Sequence, residues 1–220
     1  MFLNTYMSRS DAFFALKKMK KFHDDLKNVM ESNGFDLLDN LGRRNILLSQ
    51  AQEKYFSESL SKKYDVNCDG RTGEPDILIT SLGKELECKL TSRHKSGTIS
   101  FQTDYETLLK KEKLDYLYVV ANRDFDEFAV ILYEGLTVSD FRKLSSGSRG
   151  KTQMMKHKAH DRARILVGAM ENINQESIKK LEKKKEKAST ALQKRKIQKS
   201  INYWKSSPSK FRVITESIDA

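Results

Sequence analysis

Apolar positions first recur at helical spacing. In residues 11–31, Phe14, Met19, Phe22, Leu26 and Met30 fall on one side of a 3.6-residue period, and Ser10 or Asp11 can cap the start. Residues 34–50 show no clear period, and Gly34 and Gly42 read as breakers. Residues 49–63 predict a second helix, with Ser49 as N-cap and Ala51, Tyr55, Phe56 (or Ser59) and Leu60 as its stripe.

The period then shortens. Residues 64–68, 76–80 and 84–91 predict three short strands, with the turn DGRTGEP between the first two and Ser81, Leu82 and Gly83 between the last two. A helix fits 103–113, and the runs YLYVVA (116–121) and FAVILY (128–133) predict buried strands. Residues 145–152 form a Gly/Ser-rich break. Residues 153–170 fit a helix, and 174–203 are the most helix-like stretch, rich in Glu, Lys, Gln and Ala. Ile178, Leu181, Ala188 and Leu192 keep a partial heptad there. Lys185 and Arg195 interrupt it, so the stripe is too narrow for a regular coiled coil. Residues 211–215 read as an edge strand. No internal repeat is visible.

This order predicts an α/β fold with a mixed central β-sheet flanked by helices. Three parts are expected: an N-terminal helical segment (1–48), a core (49–144), and a basic, mainly helical extension (145–220).

Charge sharpens that division. The chain carries a net +11. Residues 145–220 hold 19 Lys/Arg against 7 Asp/Glu, whereas residues 1–144 hold 22 against 23. The basic excess is confined to the C-terminal third, which suits a polyanionic partner. No apolar run approaches the length of a membrane span, and the N-terminus lacks the pattern of a secretory signal. The expectation is an intracellular, cytoplasmic protein without membrane association. Cys68 and Cys88 form no CxxC or Cys/His spacing, so Cys88 is expected to be a buried free thiol. His157 and His160 stand three residues apart but lack further zinc ligands.

The chemistry concentrates at Asp76, Glu87 and Lys89. Glu87 and Lys89 are two apart on one strand and so share a face. The short turn at 81–83 makes a hairpin that brings Asp76 near Glu87. Two adjacent carboxylates favour a hard cation such as Mg²⁺, with the Cys88 backbone carbonyl as a further oxygen donor. Such an ion can polarise a phosphate oxygen and activate water, and Lys89 can stabilise the developing charge or help position the nucleophile.

Pro75-Asp76…Glu87-Cys88-Lys89 resembles the PD-(D/E)xK nuclease signature, and the resemblance runs from about residue 50 to 133. It implies a restriction endonuclease-like fold for the core, Mg²⁺ as cofactor with Mn²⁺ able to substitute, and double-stranded DNA as substrate. It also implies an acid on the helix before the motif. Glu53 and Glu58 are the candidates, and Leu60 as the last core leucine of that helix selects Glu53 as a catalytic and metal-holding residue. Gln102 corresponds to a Gln that some members place near the metal or DNA backbone. Arg93, His94 and Lys95 follow the catalytic strand, with Arg93 and Lys95 expected on the phosphate backbone. Arg149, Lys151, Lys156, Lys158, Arg162 and Arg164 form the densest basic region and are expected to contact DNA. Lys179–Lys187 and Lys194–Lys199 suit nonspecific phosphate contacts or plain surface.

The leading expectation is a type II restriction enzyme-like endonuclease, acting as a homodimer because two strands must be cut. A cognate DNA methyltransferase acting on the same site is the further partner this implies. A structure-selective repair or junction-resolving nuclease is the alternative within the same chemistry. A non-catalytic DNA-binding protein is the alternative outside it. No GxxxxGK[ST] motif accompanies the chain.

Overall fold

A computed structural model describes residues 5–68, 74–92, 99–144, 147, 149–206 and 211–218. Two long helices open the chain. Helix α1 (Arg9–Ser32) starts at a capping box. The Ser8 hydroxyl accepts the Asp11 N–H, and the Asp11 carboxylate accepts the Ser8 N–H at 2.8 Å. Its buried face carries Ala12, Ala15, Leu16, Met19 and His23. The expected helix is present, but its inner face is rotated, for Phe22 is 39% exposed. Helix α2 (Leu41–Leu60) begins eight residues before the expected start, at Asn40, whose side chain accepts the Arg43 N–H at 3.0 Å. Gly42 lies in its first turn and does not break it. The 48/49 division therefore falls inside one helix.

Strands β1 (Val66–Asn67), β2 (Ile77–Ile79) and β3 (Lys84–Ser92) follow. A single 3-10 turn, Thr80–Leu82, ends at Gly83 (φ +59°), and β2 and β3 pair antiparallel with Ile77 opposite Leu86. After β4 (Gln102–Asp104) comes helix α3 (Tyr105–Lys111), capped by Asp104, which accepts the Thr107 N–H at 2.9 Å. Strand β5 (Leu114–Ala121) is buried along its whole length, and β6 (Glu127–Leu136) is buried over most of it.

The C-terminal third departs from expectation. Residues 153–170 are not one helix. They contribute the end of β7 (Lys151–Gln153), the short helix α4 (Lys156–Asp161), β8 (Arg164–Val167) and the start of β9 (Ala169–Asn172). Helices α5 (Asn174–Glu186) and α6 (Ala191–Ser206) replace the single helix expected over 174–203. Strands β10 (Phe211–Ile214) and β11 (Glu216–Ser217) close the chain. Because β8 and β11 both pair with β6, the last third is built into the main sheet.

That sheet runs β1-β2-β3-β5-β6, with β8 and β11 on β6. β3 and β5 are parallel and the other pairs antiparallel, so the protein is mixed α/β with a mixed central sheet flanked by helices. Alternation along β5 divides the core. Leu117, Val119 and Ala121 pack toward α1 and α2. Tyr116, Tyr118 and Val120 pack on the other side with Phe101, Ala159, Phe211 and Val213. The bend from β8 to β9 requires Gly168: its φ is +77°, and a Cβ there would stand 2.3 Å from the Ile214 carbonyl oxygen. Among the described residues no helix is long and apolar enough to cross a membrane. Cys88 is a buried free thiol, as expected.

Candidate active site

Strand β2 pairs with β3 only as far as Leu86. Beyond that point no described strand continues on this side of β3, and the side chain just before β2 takes over. Asp76 Oδ2 accepts the Cys88 N–H at 2.7 Å. A backbone donor that would otherwise lack a partner is satisfied by a carboxylate, which fixes Asp76 against the strand edge. In an extended strand the N–H and C=O of one residue point to the same edge, so the Cys88 carbonyl opens here too.

Glu87 and Lys89 alternate with buried Leu86 and Cys88 and therefore share the opposite face of the strand. They lie in register with Tyr116 and Tyr118 of β5. Lys89 Nζ donates to Glu87 Oε2 at 2.9 Å and stands 3.8 Å from Asp76 Oδ2. Burial works against the ammonium, but Glu87 and Asp76 outweigh it and hold its pKa above the ordinary lysine value. Lys89 thus stays charged at neutral pH.

Glu53 joins this group from α2. Its carboxyl is pushed up to about 7, first by burial, then by the charge of Asp76, with Glu87 adding and Lys89 opposing. Glu58 lies elsewhere, in a surface pair with Lys18 at 2.6 Å. Of the two candidates, the fold brings Glu53 to the cluster. Gln52, which sequence reasoning missed, helps to set its position. That side chain is fully buried, and Nε2 donates to the Leu117 carbonyl of β5 at 3.1 Å, pinning α2 to the sheet one residue before Glu53. A buried glutamine on an apolar stripe leaves no periodic signal.

A cleft of about 370 Å³ opens beside Lys89. Thr91, Ser100, Gln102, Asp104, Tyr118 and Lys151 also line it. Gln102 was expected just before a helix. It stands on β4, which pairs with β7 so that Gln102 faces Gln153 and Asp104 faces Lys151. Tyr118 holds this wall from below by donating to the Gln102 carbonyl at 2.9 Å. Gln153 Nε2 ties it to Ser100 Oγ at 2.8 Å. Lys89, Gln102 and Lys151, three separate expectations from sequence, therefore meet in one cleft.

The other basic candidates divide. Arg149 is exposed in the turn before β7, at φ +51°, and Lys156 is exposed at the start of α4. Arg162 donates to Asp140 Oδ2 at 2.6 Å and to the Glu134 and Gly135 carbonyls at 2.7 and 3.1 Å. Arg164 Nε is 3.0 Å from Glu134 Oε2, and Lys158 Nζ is 3.8 Å from Asp140 Oδ1. These three, expected on DNA, each pair with a carboxylate of the fold, and none lines the cleft. Arg93, His94 and Lys95 lie outside the described residues.

As a donor set for Mg²⁺, Glu53, Asp76, Glu87 and the Cys88 carbonyl fit: all are hard oxygens. A carboxyl raised to about 7 beside two others is one that a divalent cation would return to its charged form. As they stand, the carboxylates are not gathered around one point. No group of three or more His, Cys, Asp or Glu among the described residues has metal-holding geometry, because Asp76 is turned to the Cys88 N–H and Glu87 to Lys89.

Fold and site together define a mixed α/β protein with three carboxylates and one ammonium at an open strand edge beside a polar cleft. No family model matches the chain, and no significant match is found among curated proteins or solved structures.

Proposed function

We propose that this chain is a metal-dependent endonuclease of the PD-(D/E)xK class, hydrolysing phosphodiester bonds of double-stranded DNA at a short specific sequence. The observation that carries the reading is Lys89, 2.9 Å from Glu87 and 3.8 Å from Asp76 at the open edge of β3, with Glu53 of α2 nearby, beside a cleft that Lys151 also lines. The restriction endonuclease-like fold and the type II restriction enzyme-like specificity belong to the same proposal.

Mg²⁺ held by Asp76, Glu87, Glu53 and the Cys88 carbonyl would supply a Lewis acid and a more acidic water, and Mn²⁺ would serve in its place. The protein's own groups do the rest. Lys89 enters as a cation, paired with Glu87 and standing near Asp76. Beside the scissile phosphate it offsets the negative charge that develops as water adds. Lys151 and Gln102 meet the phosphate backbone from the β4–β7 wall and hold the strand across the cleft. Cutting both strands calls for two such sites, so the acting form is a homodimer.

The test is incubation with long unmethylated duplex DNA in Mg²⁺, with EDTA as control. Discrete fragments that vanish in EDTA and with Lys89→Ala support the proposal. Cleavage of four-way junctions but not of linear duplex would replace the sequence-specific reading with a structure-selective one. Binding without cleavage of any DNA would sink the enzyme.

A further inference from the structure

Between β9 and β10 the chain leaves the body as a helical hairpin and returns to it. The two strands pair antiparallel from Asn172 opposite Phe211 to Ala169 opposite Ile214, forming a short stalk. Helices α5 and α6 pack mainly on each other. Ile178 and Ile201 are buried there, Lys185 Nζ donates to Gln198 Oε1 at 2.6 Å, and Asn174 Nδ2 donates to the Trp204 carbonyl at 3.3 Å.

The charge of this hairpin is out of proportion to its size. Residues 174–206 hold 11 Lys/Arg and 3 Asp/Glu, a net +8 of the whole chain's +11. Ile178, Leu181 and Lys185 face α6. Lys179, Lys180, Lys183, Lys184 and Lys187 fall on the opposite side of α5, and all five are exposed. Arg195, Lys196 and Lys199 do the same on α6. None of these eight forms an ion pair among the described residues, in contrast to Arg162 and Arg164. The outer face of α5 carries no apolar side chain, so it lacks what a helix lying in a lipid interface needs.

The root of the hairpin adjoins the cleft. Phe211 packs its ring 6.1 Å from that of Phe101, and Phe101 stands between Ser100 and Gln102, both on the cleft wall. Phe211 and Val213 share the Tyr116–Tyr118 core, on the face of the sheet that also carries Glu87 and Lys89.

We propose that the α5–α6 hairpin is an arm that grips the phosphate backbone of duplex DNA outside the cleft, through the five-lysine face of α5. The identity of the polyanion rests on the nuclease reading above; the arm's role as its grip does not require that the site cuts. Lys179 to Lys187 spans about 12 Å of helix axis, enough to lie along several successive phosphates. Such contacts supply affinity without sequence information.

The experiment measures binding of the full-length protein to a fluorescent duplex in EDTA, where no cleavage intrudes, across a salt series. The variant replaces Lys179, Lys180, Lys183, Lys184 and Lys187 by Gln. Each lost phosphate contact lowers the slope of log affinity against log salt by about 0.9, so a fall of at least about 2 and an affinity loss of 10-fold or more are expected. The same five positions changed to Arg should bind like the wild type, which shows that charge and not packing is read. If the Gln variant melts below the wild type, the pair Lys179→Glu and Lys183→Glu, both exposed, repeats the measurement in a milder background. An unchanged slope in a folded variant overturns the arm, even if the protein cuts DNA well. A reduced slope in a protein that never cuts keeps the arm and removes the nuclease. Loss of binding to phosphatidylserine vesicles with an unchanged DNA slope assigns the face to a membrane and overturns the proposal.

Discussion

Lys89 and Arg162 each hold a carboxylate, at 2.9 and 2.6 Å, yet the clusters around them are wired differently. Around Arg162 every acid has several donors. Asp140 takes Arg162 and also the Thr137 N–H at 3.0 Å, and Glu134 takes both Lys84 and Arg164. Arg162 spends its remaining donors on backbone carbonyls of β6. Around Lys89 two carboxylates, Asp76 and Glu87, share one ammonium, and the nearby Glu53 accepts no hydrogen bond from the described residues. A cluster with its charges matched holds the fold together. One with surplus negative charge at an open edge is where the proposed cation and the proposed chemistry would sit.

The sharpest way to break this comparison is to remove each cation in turn. Lys89→Ala should lower the rate of DNA cleavage by about 10³-fold, the scale of losing one charge-stabilising donor. Its melting temperature in Mg²⁺ should stay that of the wild type, because the ion takes over the counter-charge. A variant that cuts normally would mean Lys89 is a structural cation like Arg162.

Arg162→Ala should behave in the opposite way. It leaves Asp140, 2% exposed, without its closest partner, and should lower stability by about 3 kcal/mol, read as a lower melting temperature. Cleavage by the folded fraction, and the salt dependence of DNA binding, should not change. An Arg162→Ala protein with an unchanged melting temperature and weakened DNA binding would return the α4 cations to the DNA interface.

That pair of residues also marks what the sequence made legible. The β2–β3 hairpin was readable because a period of two and a three-residue turn are local, and they sufficed to place Asp76, Glu87 and Lys89. The fate of Arg162 was not readable, since its partner Asp140 lies 22 residues away. A cation bound internally and one waiting for phosphate look alike in a sequence. Strand β8 was hidden in an expected helix because its pairing with β6 is non-local. The start of α2 was hidden for a different reason. Arg44 is fully buried there and donates to the Asn122 and Arg123 carbonyls and to Ser92 Oγ, so a core position carries a charged residue and breaks the apolar stripe.

A third measurement separates the two glutamates of α2. Glu53→Gln should raise the Mg²⁺ concentration needed for half-maximal cleavage by about 10–100-fold, the range found when a group supporting a metal site is lost. Glu58→Gln breaks only the surface pair with Lys18 and should leave that concentration unchanged. Equal effects of the two would mean that Glu53 shares no ion with Asp76 and Glu87.

The smallest effect comes from a buried group in neither cluster, and it sets the baseline for any pH series on the other two. His23 is 1% exposed, stacks on Phe125 at 4.7 Å, bonds Asp24 through Nδ1, and leaves Nε2 without a partner among the described residues. Burial lowers its pKa, with the Arg44 charge adding, and the Asp24 bond does not restore it. The unfolded chain therefore binds this proton at a higher pH than the folded one. Stability is fully present above the ordinary histidine value, about 6.5, and is lost as pH falls from there through the folded pKa. One proton limits the slope to about 1.4 kcal/mol per pH unit. Melting temperatures between pH 7.5 and 5 should fall in the wild type and fall less in His23→Phe, which keeps a ring against Phe125 and removes the titrating nitrogens. Identical profiles would move the acid sensitivity to other groups. A loss of cleavage below pH 6.5 that persists in His23→Phe would then belong to the strand-edge cluster and not to unfolding.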